Sequence, residues 1–144
     1  MNKLKLVEDR TLYIKKRVQD LVIDLIDSDF KKIDQQQFIM KSDATKLAMN
    51  HLRDIDLVCR YGGEEFLILL SDSDIHHSLI VANKLREIIE QFIFSTNDLK
   101  INITISIGAA ELKKDEKIDS FIKRVDEALY VAKKTGRNKV EHAK

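Results

Sequence analysis

The 144-residue chain contains no proline, four glycines and one cysteine. Without proline, and without a Gly/Ser tract, a repeat or a low-complexity stretch, no segment reads as a linker and nothing marks an internal boundary. A single cysteine, Cys59, excludes an internal disulfide and fits a reducing compartment. Its neighbours Val58 and Arg60 suggest a strand, which favours a small packed residue over a reactive thiol. No apolar run approaches the roughly 20 residues needed to span a bilayer. The first residues carry Lys3, Lys5, Glu8, Asp9 and Arg10 with no apolar stretch behind them, which excludes an ordinary signal peptide. The formal net charge is only +1, so no global field recruits nucleic acid or an anionic membrane. The expectation is a cytoplasmic protein that partners neither nucleic acid nor membrane, and any anionic ligand must be held by local groups.

What is present suits a globular protein. Hydrophobic residues make up 44% and charged residues 34%, and the length fits one domain over 1–144 with a real core. Residues 8–19 have a weak helical pattern, with Leu12 and Val18 among charges, and Leu21 to Ile26 is a short apolar run consistent with a buried strand. Ala44, Leu47, Ala48 and Leu52 fall at helical spacing behind Ser42 or Asp43 as N-cap. Asp56–Tyr61 and Phe66–Leu70 flank Gly-Gly-Glu-Glu and predict a β-hairpin. Asp74 opens a helix whose stripe runs Ile75, Leu79, Ala82, Leu85, Ile89 and Phe92. Leu99, Ile101, Ile103, Ile105 and Ile107 alternate with polar residues, the period of an antiparallel strand with one buried face. A last helix over about Asp119–Thr135 turns Ile122, Val125, Leu129 and Ala132 inward and is capped by Gly136, before a short strand around Lys139–Glu141. Within this order sits βαββαβ. The fold class is therefore α+β, a ferredoxin-like antiparallel sheet with helices on one face.

The chemistry concentrates in three places. Gly62 and Gly63 at a hairpin tip remove side chains that would keep a bulky ligand off the backbone, and Glu64 and Glu65 follow at once with hard oxygens suited to Mg²⁺. Taken alone, Gly-Gly-Glu-Glu is as readily an ordinary hairpin with solvated acids. Asp27 and Asp29 lie just past the first strand; paired acids at a strand end facing such a hairpin are how two-metal phosphoryl-transfer sites are built, although a polar strand end is a serious alternative. Lys31 and Lys32 follow, while Lys133, Lys134, Arg137 and Lys139 gather where the last helix ends. The helix dipole alone would favour such cations there, but a triphosphate also requires them. His76 and His77 are adjacent rather than at ligand spacing and read as a solvated helix start.

Gly62-Gly63-Glu64-Glu65-Phe66 resembles the signature of the GGDEF family in its Glu form. The similarity continues in Ser106-Ile107-Gly108-Ala109, in the closing segment Val125 to Asn138, and in Phe30-Lys31-Lys32-Ile33, and is nearly continuous from Asp56 to Val140. The resemblance implies a palm-like nucleotidyl cyclase fold and a diguanylate cyclase, which condenses two GTP into cyclic di-GMP with release of pyrophosphate. It implies a homodimer facing itself across the site, with two Mg²⁺ or Mn²⁺ per active site. Glu64 and Asp27 become metal ligands, Glu65 an active-site acid, and Lys31, Lys133 and Arg137 phosphate contacts. Asp34 and Asp43 fall at the positions that read guanine. Arg53 and Asp56, with Lys84 on the neighbouring helix, fall at the family's product-inhibition site.

The chain departs from the family pattern in its first half. Asp29 touches Phe30 directly, so one residue is missing, and Asp24, Asp27 and Asp29 all compete for the strand-end ligand role. Asp34 stands where an asparagine is usual, and Gln35 to Lys41 replace a glycine-rich turn. A carboxylate accepts from guanine N1 and N2 but cannot donate to N3, so the base pocket should be weak. Two other functional classes stay open: a regulatory module that binds nucleotide without turnover, and an interaction protein that keeps only a dimer surface. Glu64 and Glu65 favour an enzyme, since neither alternative requires them.

Overall fold

A computed structural model of the chain describes residues 18–24, 43–44, 46–60, 65–96 and 99–144. Seven strands and two long helices are present among them: β1 (Val18–Asp24), β2 (Leu57–Arg60), β3 (Glu65–Ser71), α1 (Ile75–Gln91), β4 (Ile93–Thr96), β5 (Leu99–Asn102), β6 (Ser106–Glu111), α2 (Ile118–Lys134) and β7 (Val140–His142). Residues 43–44 and 46–49 are also helical. The main sheet has the order β2-β3-β1-β6-β7. Its first four strands pair antiparallel. With the short helix between β1 and β2, and α1 between β3 and β6, they form the expected ferredoxin-like βαββαβ unit. β7 joins β6 in parallel after the α2 crossover.

The helices of that unit share one face, as the sequence predicts. Ala44 and Ala48 from the short helix pack with Ala82, Leu85 and Ile89 of α1 against Ile68, Leu70, Ile107 and Ala109. α2 takes the other face, where Phe121, Val125 and Leu129 meet Leu67, Leu69 and Ala110. β3 and β6 are therefore covered on both sides, which explains runs with no polar alternation such as Phe66 to Leu70. Asp74 caps α1 as expected, its carboxylate accepting from the His77 backbone N–H at 2.7 Å. His76 and His77 are exposed at that helix start.

Three expectations need correction. Val18 and Gln19, read as the end of a helical stretch, belong to β1; the rest of that stretch lies outside the described residues. Phe92 does not extend the α1 stripe: it is the C-cap, exposed, and stacks edge-on against Phe94 at 4.7 Å. The alternation from Leu99 to Ile107 is two strands rather than one. Leu99–Asn102 spends its backbone hydrogen bonds on β4, an element the pattern missed, in a separate two-stranded sheet. Only from Ser106 does the chain rejoin the main sheet, while Ile103 and Ile105 fill the core in between. Alternation of side chains reports which face is buried and not which partner takes the ladder.

α2 is seated by two devices. At its start, Arg124 grips Glu116 with two bonds of 2.7 Å and donates to the Glu111 carbonyl of β6 at 2.8 Å. Those bonds hold the Glu116 carboxyl below its ordinary pKa. In its middle, α2 lies directly on Gly108: a Cβ there would come within 2.3 Å of the Val125 carbonyl oxygen and 2.6 Å of the Leu129 nitrogen. Both are backbone atoms and cannot rotate away, so the helix itself would have to move. Gly108→Ala should therefore cost at least about 2 kcal/mol, the scale of overpacking a core, and chemical denaturation would read it as a lower midpoint at unchanged slope.

Candidate active site

One edge of the sheet collects the ends of several strands. β1 finishes at Asp24, whose Cα partners are Glu65 at the start of β3 and Ser106 at the start of β6. β2 finishes at Arg60 opposite Phe66, and β7 starts at Val140 opposite Ile107. Gly62, Gly63 and Glu64 connect Arg60 to Glu65, and Asp27 follows Asp24 by three residues. Gly62, Gly63, Glu64 and Asp27 lie outside the described residues, as do Asp29, Lys31 and Asp34.

Among the described residues, the edge holds a cluster of charge. Lys133, in the last turn of α2, places its Nζ 3.6 Å from Glu65 Oε1. That is an ion pair without a short hydrogen bond, loose enough for the ammonium to be shared with another anion. Asp126 lies two helical turns before Lys133, on the same face of α2. Burial pushes the Asp126 carboxyl above its ordinary pKa, the negative charge of Glu65 adds to the rise, and Lys133 opposes it. Two carboxylates thus repel one another within reach of one ammonium. Among the described residues no group of three or more His, Cys, Asp or Glu side chains gathers as a metal site. Asp126 went unassigned in the sequence, although its spacing from Lys133 already put it on the same face.

The basic group sorts itself by contact. Lys139 donates its Nζ to the Thr135 carbonyl and so closes the end of α2. Lys134 lies over the Tyr130 ring at 5.5 Å. Arg137 stands in a turn with three consecutive residues in the left-handed region: Gly136 at φ 117°, Arg137 at 56° and Asn138 at 47°. Its backbone N–H reaches back to Ala132 O at 3.0 Å, closing the helix in the Schellman manner. Glycine and asparagine tolerate this region, whereas an arginine there is uncommon and such backbones cluster at functional sites. Among the described residues, Lys133 meets Glu65 from the last turn of α2, and Arg137 stands exposed in the turn before β7.

The remaining predicted residues are dispersed. Asp43 is exposed in the short helix, and Lys84 is exposed on α1. Arg53 and Asp56 form a clasp: the guanidinium donates to Asp56 Oδ1 at 3.1 Å, to Ser73 Oγ at 3.0 Å and to the Ser71 carbonyl. Asp56 also accepts from the backbone N–H groups of Arg53 and Ser71, and its side chain is only 3% exposed. The pair thereby ties the segment before β2 to the end of β3. A separate groove of about 280 Å³ between α2 and β7 contains none of the predicted site residues. No helix among the described residues is long and apolar enough to cross a membrane.

Comparison with known proteins identifies relatives in sequence and in fold. The family model described as "Diguanylate cyclase, GGDEF domain" matches residues 38–139. Diguanylate cyclase A of Treponema denticola is 34% identical over 133 residues, covering 88% of this chain and 36% of that protein. The response regulator PleD of Caulobacter vibrioides is 36% identical over 126 residues, covering 81% of this chain and 28% of its own length. The chain thus spans about a third of the length of these relatives. Among solved structures, the active GGEEF domain of a diguanylate cyclase from Vibrio cholerae superposes with a TM-score of 0.79 at 25% identity, covering 96% of this chain and 90% of that one. The coiled coil and GGDEF domain of DgcB from Caulobacter crescentus, in complex with c-di-GMP, shares the fold with a TM-score of 0.84 at 22% identity, over 96% of this chain and 80% of that one. A family match over well more than half of the chain, and relatives above 30% identity across most of it, establish that the chain belongs to the GGDEF family.

Proposed function

We propose that the chain is a diguanylate cyclase domain: it condenses two GTP into cyclic di-GMP, releasing two pyrophosphates, in a site shared by two copies in the cytoplasm. The observation that carries this reading is the cluster of Glu65, Asp126 and Lys133 at the strand ends, with Arg137 in the turn before β7. In each half-reaction the 3′-oxygen of one GTP bonds to the α-phosphorus of the other. The bond from that phosphorus to the bridging oxygen breaks, and the hydroxyl proton leaves to solvent or a carboxylate. Lys31, Lys133 and Arg137 neutralise the triphosphate and orient it in line. Glu65 holds Lys133 at the edge until a phosphate shares it. Glu64 and Asp27 would hold two Mg²⁺ or Mn²⁺, which when bound lower the pKa of the hydroxyl and neutralise the leaving pyrophosphate. Asp34 and Asp43 face the base.

Losing one metal carboxylate should cost several kcal/mol of transition-state stabilisation. Glu64→Ala is accordingly expected to lower cyclic di-GMP formation from GTP and Mg²⁺ by at least about a hundredfold. Turnover equal to wild type would remove Glu64 from the metal site. A second reading, a module that binds nucleotide with little or no turnover, is favoured by Asp34 in place of a base-reading asparagine; a wild-type chain inert at high concentration but binding GTP would establish it.

Asp34 also sets selectivity. An amide restores the donor that guanine N3 requires, so Asp34→Asn should tighten GTP binding by about tenfold, roughly the worth of one well-placed hydrogen bond. Calorimetric titration with GTP and ATP checks this, and strong guanine selectivity in the unmodified chain would contradict it.

Arg53, Asp56 and Lys84 are proposed to bind cyclic di-GMP away from the catalytic edge. A guanidinium can fork onto a guanine edge or a phosphate, and Arg53 is more exposed than its partner, at 44% against 3% for the Asp56 side chain. Asp56 is committed to the clasp, so Arg53 is the group that reaches ligand. Product titration should show affinity lowered about tenfold or more in Arg53→Ala; equal affinity in both proteins would leave the clasp a purely structural pair.

A further inference from the structure

A network that joins α1 to the Arg137 turn has no part in the chemistry above. Arg86 on α1 donates from Nη1 to Glu90 Oε2 at 2.8 Å and to Asn138 Oδ1 at 3.1 Å. Asn138 donates from Nδ2 to Glu90 Oε1 at 2.7 Å, which closes a three-residue cycle. Arg86 also donates from Nη2 to Glu87 at 3.3 Å. The Arg86 side chain is only 16% exposed, so this is a partly desolvated arginine rather than a solvated surface charge. The bonds from Asn138 and Arg86 hold the Glu90 carboxyl below its ordinary pKa.

The network meets a piece of backbone that needs holding. Gly136, Arg137 and Asn138 are all left-handed. Two backbone bonds bracket them: Arg137 N–H to Ala132 O at 3.0 Å, and Ile107 N–H to Lys139 O at 2.9 Å. Those bonds fix where the turn begins and ends. The Asn138 side chain adds a third anchor from α1, 48 residues away in sequence from Glu90, on the residue directly after Arg137. The bidentate amide, donating to one partner and accepting from the other, sets the orientation of that peptide and not merely its position.

We propose that Arg86 and Glu90 are positioning residues for Arg137: through Asn138 they hold the left-handed turn in the orientation that presents its guanidinium to the triphosphate. This rests on Arg137 as a phosphate contact. Because the phosphates are bound in ground state and transition state alike, loosening the turn weakens substrate binding more than the chemical step.

The test measures GTP binding by calorimetry and cyclic di-GMP formation over a range of GTP for the full chain. Arg86→Ala and Glu90→Ala are each expected to raise the KM and Kd for GTP by about tenfold with kcat within about threefold. In an Arg137→Ala background neither should add anything, because they act only through that side chain. Glu90→Gln, which keeps an acceptor for Asn138, should fall between wild type and Glu90→Ala. Thermal melting reports folding; should Arg86→Ala not fold, Glu90→Ala decides, since that carboxylate is nearly half exposed. Unchanged KM and Kd in the folded variants, or an equal rise on top of Arg137→Ala, would overturn the proposal while leaving the cyclase reading intact. If Arg137→Ala itself binds GTP like wild type, or wild type binds none, the reading of the site fails and the positioning role falls with it.

Discussion

The close seat of α2 on β6 governs where the site's cations stand. Gly108 has no side chain, so the α2 backbone at Val125 and Leu129 comes nearer to the sheet than any Cβ would permit. Burial of Phe121, Val125 and Leu129 drives the contact, and Arg124 on Glu116 fixes the entry of the helix. A helix held this rigidly delivers its last turn to a definite place. Lys133 therefore meets Glu65, and the turn beyond it carries Arg137 to the start of β7, beside the beginning of β6.

Electrostatics at that edge follow from the placement. Desolvation and the negative charge of Glu65 raise the cost of ionising Asp126, and Lys133 offsets only part of it. A packed protein leaves such an imbalance where a ligand will relieve it. Away from the edge, the Arg53–Asp56 clasp and the Arg86–Glu90–Asn138 cycle each pair a guanidinium with a carboxylate and fasten segments distant in the chain.

The left-handed turn at Gly136, Arg137 and Asn138 joins these two regimes. It is strained at Arg137, closes α2, feeds β7 and touches α1. Strain of this kind persists only where surrounding contacts over-determine it, and here those contacts are the Schellman bond, the first parallel bond to β6 and the Asn138 amide.

Much of the fold was legible from periodicity. The α1 stripe, the α2 stripe, the Asp74 cap, the Gly136 stop and the hairpin around Gly62 and Gly63 are local patterns, and local propensity and core burial agreed on them. The family was legible too, because Glu64, Glu65, Gly108 and the Val125–Asn138 segment are a combination that chance does not assemble. The β4–β5 hairpin was not legible, since an alternating isoleucine run states which face is buried without saying which strand supplies the partner. The face taken by α2 was likewise undecided: its stripe fits either side of a sheet, and only the gap over Gly108 selects one. Nor could sequence sort Lys133, Lys134 and Lys139 from one another, or single out Arg86. Lys139 closing a helix, Lys134 on Tyr130, Lys133 facing Glu65 and Arg86 reaching Asn138 differ by where helices packed against a sheet bring residues far apart in the chain. Residue type and spacing determined which chemistry the chain can carry, and the tertiary structure decided which partner each of these charges meets, because that depends on distances that no local pattern encodes.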